Sequence, residues 1–393
     1  MRLRYGRRPE AVSAQPGDLA LPLVPDAPDP RAGRAQNGGG MAAKRSRTSA
    51  GERPADGAAP ALRQGQVTIN HVAALAGVSP TTVSHVLSGK RLVAAETRGA
   101  VYDAIRRLGY RPNHVARSLR TRRSHMIAVV VPDITNTFYS MLTRGLADTL
   151  DREGYGTYVC NTDGLLDRES KFLVDVFDRG ADGIVLAAVD AASAGVLKPA
   201  DMGVPVVCVG HRLDHPRIDV VTVDDERGSY EVTRHLLTRR PERMAMIQGL
   251  NGTPRLSGFT RAVAEAGHAL DPSLMVTGDW TRHGGYEAMR QILGRRSRAY
   301  PDAVFCANDL MAIGAIEALR EARLDVPGDV AVAGFDDVDA ATIVHPPLTT
   351  VVNPAYDIGV NAGKLLVSRL SGEYDGDGRE VGLPCLLVVR ESA

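Results

Sequence analysis

Thr81, Thr82, Ser84 and His85 set four hydrogen-bonding side chains within five consecutive positions. Such a cluster can donate to and accept from base edges and phosphate oxygens. Further along, Arg117, Arg120, Arg122 and Arg123 gather cationic groups that can neutralise a phosphate backbone. Metal or nucleophilic chemistry has weaker footing. The four cysteines, Cys160, Cys208, Cys306 and Cys385, are scattered, with neither metal-ligand spacing nor a redox pair. There is no P-loop and no nucleophile elbow, and the GLNG stretch at Gly249 to Gly252 is a weak phosphate signal.

The local pattern supplies elements to position the first cluster. Ile69, Val72, Ala73 and Ala76 recur at i, i+3, i+4 and i+7, which predicts a helix with one apolar face. Gly77 allows a sharp turn. Ser79 is a suitable N-cap, Pro80 suits the first helical position, and Val83, Val86 and Leu87 form the buried face of a second helix, Pro80 to Leu87. Thr81, Thr82, Ser84 and His85 are then left facing outward. Glu96 to Leu108 predicts a third helix with Val101, Ile105 and Leu108 on its inner face, although Ala94 and Ala95 offer it no side-chain cap. Two helices around a tight turn, closed by a third, are the layout of a helix-turn-helix. After Gly109, Asn113 caps HVARSLRTRR, a short helical candidate too marginal to stand alone.

Charge divides the chain. Residues 1–66 carry 11 Lys+Arg and 6 Asp+Glu, residues 67–123 carry 10 and 2, and the remainder carries 26 and 38. The blocks are therefore +5, +8 and −12. Only the basic part suits a polyanion, since DNA phosphates repel an acidic block. The first 66 residues, rich in Gly, Ala, Pro and Arg without a period, predict a disordered basic extension. No apolar run approaches a membrane span and no signal-peptide core is present, so a cytoplasmic protein with reduced, buried cysteines is expected.

From His125 onward, strand and helix alternate. Apolar runs at 126–131, 157–160, 183–188, 204–209 and 220–223 predict parallel strands with helices between them, and the alternation resumes at 244–248, 274–277, 303–307 and 330–335. The expected fold class is therefore an N-terminal all-α helix-turn-helix domain followed by a two-lobed α/β domain. Ligand binding is expected beyond the carboxyl ends of the strands, between the lobes. The domain boundaries are 1–66 for the extension, 67–112 for the helix-turn-helix, 113–124 for a hinge helix and linker, and 125–393 for the two lobes. Lobe 1 takes about 125–223 and 353–372; lobe 2 takes about 224–352 and 380–393.

These motifs resemble the LacI/GalR family of transcriptional regulators. The resemblance spans nearly everything from Val67 to Ala393 and rests on VTINHVAALAGVSPTTVSHVL, GYRPNHVARSLRT, VPDITNTFYSML, RLSGF, CANDLMAIGAI, VAVAGFDDVDAA, PPLTTVVNP and LPCLLVVRES, in that order. It implies a ligand domain like the periplasmic binding proteins and a homodimer on a pseudo-palindromic double-stranded DNA operator. It places Pro80, Thr81 and His85 at base edges and Thr68, Thr82, Ser84, Asn113 and His114 near phosphates or groove walls. Ala116 and Arg117 of the hinge join them, and Leu119 takes the position of a wedge into a central base step. His71 departs from the family's acidic residue in the first helix. Pro80 and Thr81 cannot make the bidentate base contacts of Arg, Asn or Gln, which leaves the operator sequence open.

For the cleft, the family positions imply Arg255 as an anchor for hydroxyl or anionic oxygens, Asn308 and Asp336 as polar partners and Trp280 as a flat apolar surface. Phe138, Tyr139 and Asn353 complete the walls, and His211 stands where many relatives have an acidic residue. An aromatic face beneath polar groups suits a sugar ring, so the expected function is a repressor of carbohydrate-utilisation genes with a small sugar effector. A non-sugar ligand such as a nucleobase is the alternative, and a sugar-transport protein, an α/β enzyme or an architectural DNA protein fits less well. The expectation is a non-enzyme with no cofactor, no metal and no membrane partner. Because the sequence stops after LVVRESA without a heptad helix, a dimer is expected instead of a coiled-coil tetramer.

Overall fold

The computed structural model describes residues 67–89, 91–111, 123–187, 197–210, 213, 215–250, 254–294 and 300–393. The expected extension 1–66, the hinge positions Asn113, His114, Ala116, Arg117 and Leu119, and His211 lie outside the described residues.

The N-terminal domain is three helices, α1 (Ile69–Ala76), α2 (Pro80–Ser88) and α3 (Ala95–Leu108). Val72 and Ala73, Val83 and Val86, and Val101 and Ala104 are their buried contributions to one small core, with Ile105 and Leu108 packed at its margin. Gly77 adopts φ 66° and ends α1, as the turn requires. The Ala94 end of α3 has no side-chain cap, in keeping with its residue type.

The first lobe is built on a six-stranded parallel sheet. Strands β1 (Met126–Val131), β2 (Gly156–Asn161), β3 (Gly183–Ala187), β4 (Val206–Val209), β5 (Asp219–Val223) and β11 (Glu380–Leu383) lie in the order β11-β5-β4-β3-β1-β2. Its central strands are apolar on both faces because separate cores cover each one. The second lobe holds β6 (Met244–Gln248), β7 (Met275–Thr277), β8 (Ala303–Cys306) and β9 (Ala331–Ala333), all parallel, in the order β7-β6-β8-β9. An antiparallel ribbon of β10 (Thr350–Val352) and β12 (Leu386–Val388) accompanies them.

One boundary differs from expectation. Lobe 2 is expected to include about 380–393, yet Glu380–Leu383 pairs in parallel with Asp219–Val223 and extends the lobe 1 sheet. The short, half-polar strand EVGL carries no periodicity that names its partner, and the open edge of β5 captures it. The chain therefore crosses between lobes a third time, between Leu383 and Leu386, besides the crossovers near Val223 and Val352. All four cysteines are free and buried. Among the described residues no helix is long and apolar enough to cross a membrane, and no cluster of His, Cys, Asp or Glu is placed to hold a metal ion.

Candidate functional site

The α2 surface combines exposed and half-buried polar groups. Pro80 and Thr81 are exposed, as is Thr68 at the start of α1, whereas Thr82, Ser84 and His85 are half-buried. Ser79 Oγ accepts from the Thr82 N–H at 3.1 Å and lies 2.9 Å from Thr82 Oγ1, so this cap also fixes the threonine hydroxyl. His71 assumes the role of a capping-box acid: its Nδ1 accepts from the Thr68 N–H at 3.2 Å. The loss of an acidic residue at that position therefore costs α1 less than its charge alone implies.

The second cluster forms where strands end. Arg255, on the helix Pro254–Glu265, is buried. Its Nε donates to Asp225 Oδ1 at 2.7 Å and its Nη1 to the Ala307 carbonyl at 2.5 Å. Its Nη2 lies 3.4 Å from Asp336 Oδ1. The guanidinium carbon sits 3.7 Å from the Phe335 ring centroid and 5.8 Å from that of Trp280. Burial opposes its charge, but the carboxylates of Asp225 and Asp336 outweigh that effect and hold it protonated.

Asp336 has φ 111°, a conformation unusual for a residue with a side chain, and follows the buried Phe335. Burial pushes its carboxyl up to about 6, against the opposing influence of Arg255 and the hydrogen bond from Asn353. Asn353 Nδ2 donates to Asp336 Oδ1 at 3.0 Å. Its Oδ1, in a residue only 5% exposed, has no hydrogen-bond partner. A buried acceptor without a partner costs about 1–3 kcal/mol, which a donor from a bound molecule can remove.

Asn308, expected as a polar partner of the ligand, is engaged within the protein. It is 1% exposed, its Oδ1 accepts from the Met311 N–H at 3.0 Å, and its Nδ2 donates to the Trp280 carbonyl at 2.9 Å. It caps the helix Asp309–Glu321 and holds Trp280, itself at φ 70°, in place. Trp280 is half-buried, its ring against Gly249, where a Cβ would overlap the indole. From lobe 1, Phe138 and Tyr139 open the helix Thr137–Asp151, their rings edge to face at 5.2 Å. Burial, with the nearby Asp336 carboxylate, pushes the Tyr139 phenol up, and Arg255 opposes the shift.

Arg255, Trp280, Asn308, Asp336, Asn353 and Tyr139 thus belong to one network. Sequence reasoning missed Asp225, Phe335 and Gly249. Asp225 had a usable signal, an acidic residue in the first turn of a helix that follows a strand of lobe 1. Phe335 reads as ordinary core in VAGFDDV, and nothing local announces that Gly249 must admit an indole.

Comparison with known proteins agrees in extent. Residues 68–113 match the family described as bacterial regulatory proteins, lacI family, and residues 233–393 match the periplasmic binding protein-like domain. Catabolite control protein A of Priestia megaterium is 34% identical over 331 residues, covering 83% of this chain and 99% of the relative. The transcriptional regulator CelR in complex with cellobiose is a similar structure at 32% identity and TM-score 0.63, covering 84% of this chain and 100% of that one. The lac repressor dimer bound to operator and the anti-inducer ONPF aligns at 26% identity and TM-score 0.73, covering 83% and 99%.

Proposed function

The chain belongs to the LacI family of bacterial regulatory proteins, and from that premise we propose that it is a DNA-binding repressor of carbohydrate-utilisation genes whose operator affinity is set by a small sugar. The observation that carries the sugar reading is the unpartnered Asn353 Oδ1 beside the Asp336–Arg255 pair, whose guanidinium in turn lies 5.8 Å from the Trp280 ring. A sugar offers hydroxyl donors to Asn353 and Asp336, hydroxyl acceptors to Arg255, and a CH face to the indole. The cellobiose complex of the similar regulator CelR supports the same class.

The output half is the pair of α2 helices in a homodimer, with Pro80, Thr81 and His85 at base edges and Thr68, Thr82 and Ser84 at the backbone. Asn113, His114, Ala116, Arg117 and Leu119 contribute from the hinge, with Leu119 as the wedge. The dimeric lac repressor on its operator supports this arrangement. So does the exposed apolar edge of strand β2, where Tyr158 is 52% exposed and Val159 is exposed as well. A sugar that prefers one lobe arrangement shifts the population toward it and so changes hinge spacing; its differential affinity sets whether it induces or corepresses.

Trp280 is the only tryptophan in the chain, which gives a direct test. Full-length protein is offered random-sequence duplexes, and the selected duplex is titrated across salt concentrations with and without cellobiose and a panel of monosaccharides. We expect a sugar to shift Trp280 emission saturably and to change the selected-site Kd at least tenfold. Failure of every sugar to do either overturns the sugar reading. A nucleobase that does both replaces the sugar by its stacking on the same aromatic walls. Affinity never above that for random DNA overturns the repressor.

A further inference from the structure

Residues 123–125 lead from the hinge into β1, and three elements of lobe 1 grip them. The Asp182 carboxylate, in the turn before β3, accepts at Oδ1 from the Ser124 N–H at 2.9 Å and the Ser124 hydroxyl at 3.1 Å. Its Oδ2 accepts from the His125 N–H at 2.8 Å, and its own N–H donates to the Met126 carbonyl at 2.9 Å. Beside β2, Gly156 N–H donates to the His125 carbonyl at 2.9 Å, and the His125 ring lies 5.4 Å from that of Tyr155. Arg123 Nη2 donates to the carbonyl of Leu370, the last residue of the helix Ala355–Leu370, at 2.9 Å. His125 is held at φ 56°, a strained backbone that persists only where its surroundings over-determine it.

That same helix begins two residues after Asn353, in the effector network. Against it lies the helix that opens with Phe138 and Tyr139, packed so closely that a Cβ at Gly145 would strike the Tyr356 carbonyl and one at Gly359 the Leu142 carbonyl. Backbone-to-backbone packing of this kind leaves no room for sliding. Lobe 1 is thus one stiff body with effector residues at one end and the hinge exit clamped at the other. We propose that Asp182 is the coupling residue of this switch: it fastens the hinge to lobe 1, so that lobe rearrangement and hinge geometry change together. A clamp that over-determines the exit direction is needed for transmission, because a free linker would absorb the rotation.

This inference rests on the DNA-regulator reading, and coupling is reciprocal, so operator binding must also be felt in the cleft. The probe is the duplex selected by the full-length parent, and the readout is Trp280 emission on titration with it. In the parent, duplex binding shifts the emission. In Asp182→Ala the duplex still binds through α2, but the shift falls to less than a third, and Asp182→Asn, which keeps one acceptor oxygen, falls between. The melting temperature of each variant is measured alongside; where Asp182→Ala fails to fold, the proposal stands on a shift in Asp182→Asn reduced below the parent's and is overturned by one equal to it. A merely structural Asp182 lowers the melting temperature and leaves the shift intact, which overturns the proposal, as does a parent that binds duplex without any shift. If no duplex is selected at all, the regulator reading itself has failed, and that result is visible before any variant is made.

Discussion

Gly249 lies so close under the Trp280 ring that a single methyl group there would overlap Cζ2 and Cη2 of the indole. The end of β6 and the loop after β7 are thereby joined through one aromatic face, whose backbone Asn308 holds by its carbonyl. The position of the proposed sugar platform is therefore set by a residue with no side chain.

Gly249→Ala should tilt or expel the indole, at the 1–3 kcal/mol typical of overpacking. We expect a shifted Trp280 emission in the free protein and at least a tenfold loss of sugar affinity, with selected-site DNA affinity unchanged. Unchanged sugar affinity by titration calorimetry would contradict the platform.

Arg255→Ala leaves Asp225 and Asp336 facing each other without a cation, a loss of roughly 3–5 kcal/mol. Arg255→Lys keeps the charge but not the planar fork that serves Asp225, Ala307 and Asp336 together. Urea denaturation should show Arg255→Lys nearer the parent in stability, yet both variants should lose sugar binding.

Asp336 gives a pH dependence with a definite sign. Its folded pKa is raised from the ordinary 3.8 to about 6, first by burial, so the folded state keeps a proton that the unfolded state releases. Its stabilising contribution is present below about pH 4 and is lost as pH rises through about 6, at most roughly 3 kcal/mol for two pKa units. Asp336→Asn should flatten this part of the stability curve between pH 4.5 and 7. Parallel parent and variant curves in denaturant titrations would sink the assignment.

Tyr158→Asp places a charge on the exposed edge strand β2. Sedimentation should show dissociation of the dimer at concentrations where the parent remains paired, with operator affinity falling at least tenfold because one α2 cannot hold two half-sites. A variant that stays dimeric would move the interface elsewhere.

If His85 makes the base contact proposed for it, His85→Ala should cost about 1–3 kcal/mol at the selected site and almost nothing on random DNA. Leu119→Ala should likewise weaken specific more than nonspecific binding. Equal losses on both duplexes in anisotropy titrations would remove His85 from base readout and argue against a Leu119 wedge.

Much of the architecture was legible because its signals are local. The period of Ile69, Val72, Ala73 and Ala76, the Ser79–Pro80 helix start and the apolar runs of β1, β3 and β6 each lie within one element, and each element formed where its residues indicated. The helices Asp225–Leu237 and Ala355–Leu370 begin with acidic first turns, a local start signal of the same kind. Strand β11 pairs with lobe 1 and not with the expected lobe 2, because four half-polar residues do not specify a neighbour.

By itself the sequence determined the order of elements and the helix-turn-helix, since periodicity and capping act over a few residues, whereas the candidate ligand residues rest on the resemblance to the LacI/GalR family. Only the tertiary structure decided that Arg255 is shared among Asp225, Asp336 and the Phe335 ring, that Asn308 supports Trp280, and that Asp182 grips the hinge exit. Those partners come from different crossovers of the chain, and which of them meet depends on how the lobes pack, which no local pattern encodes.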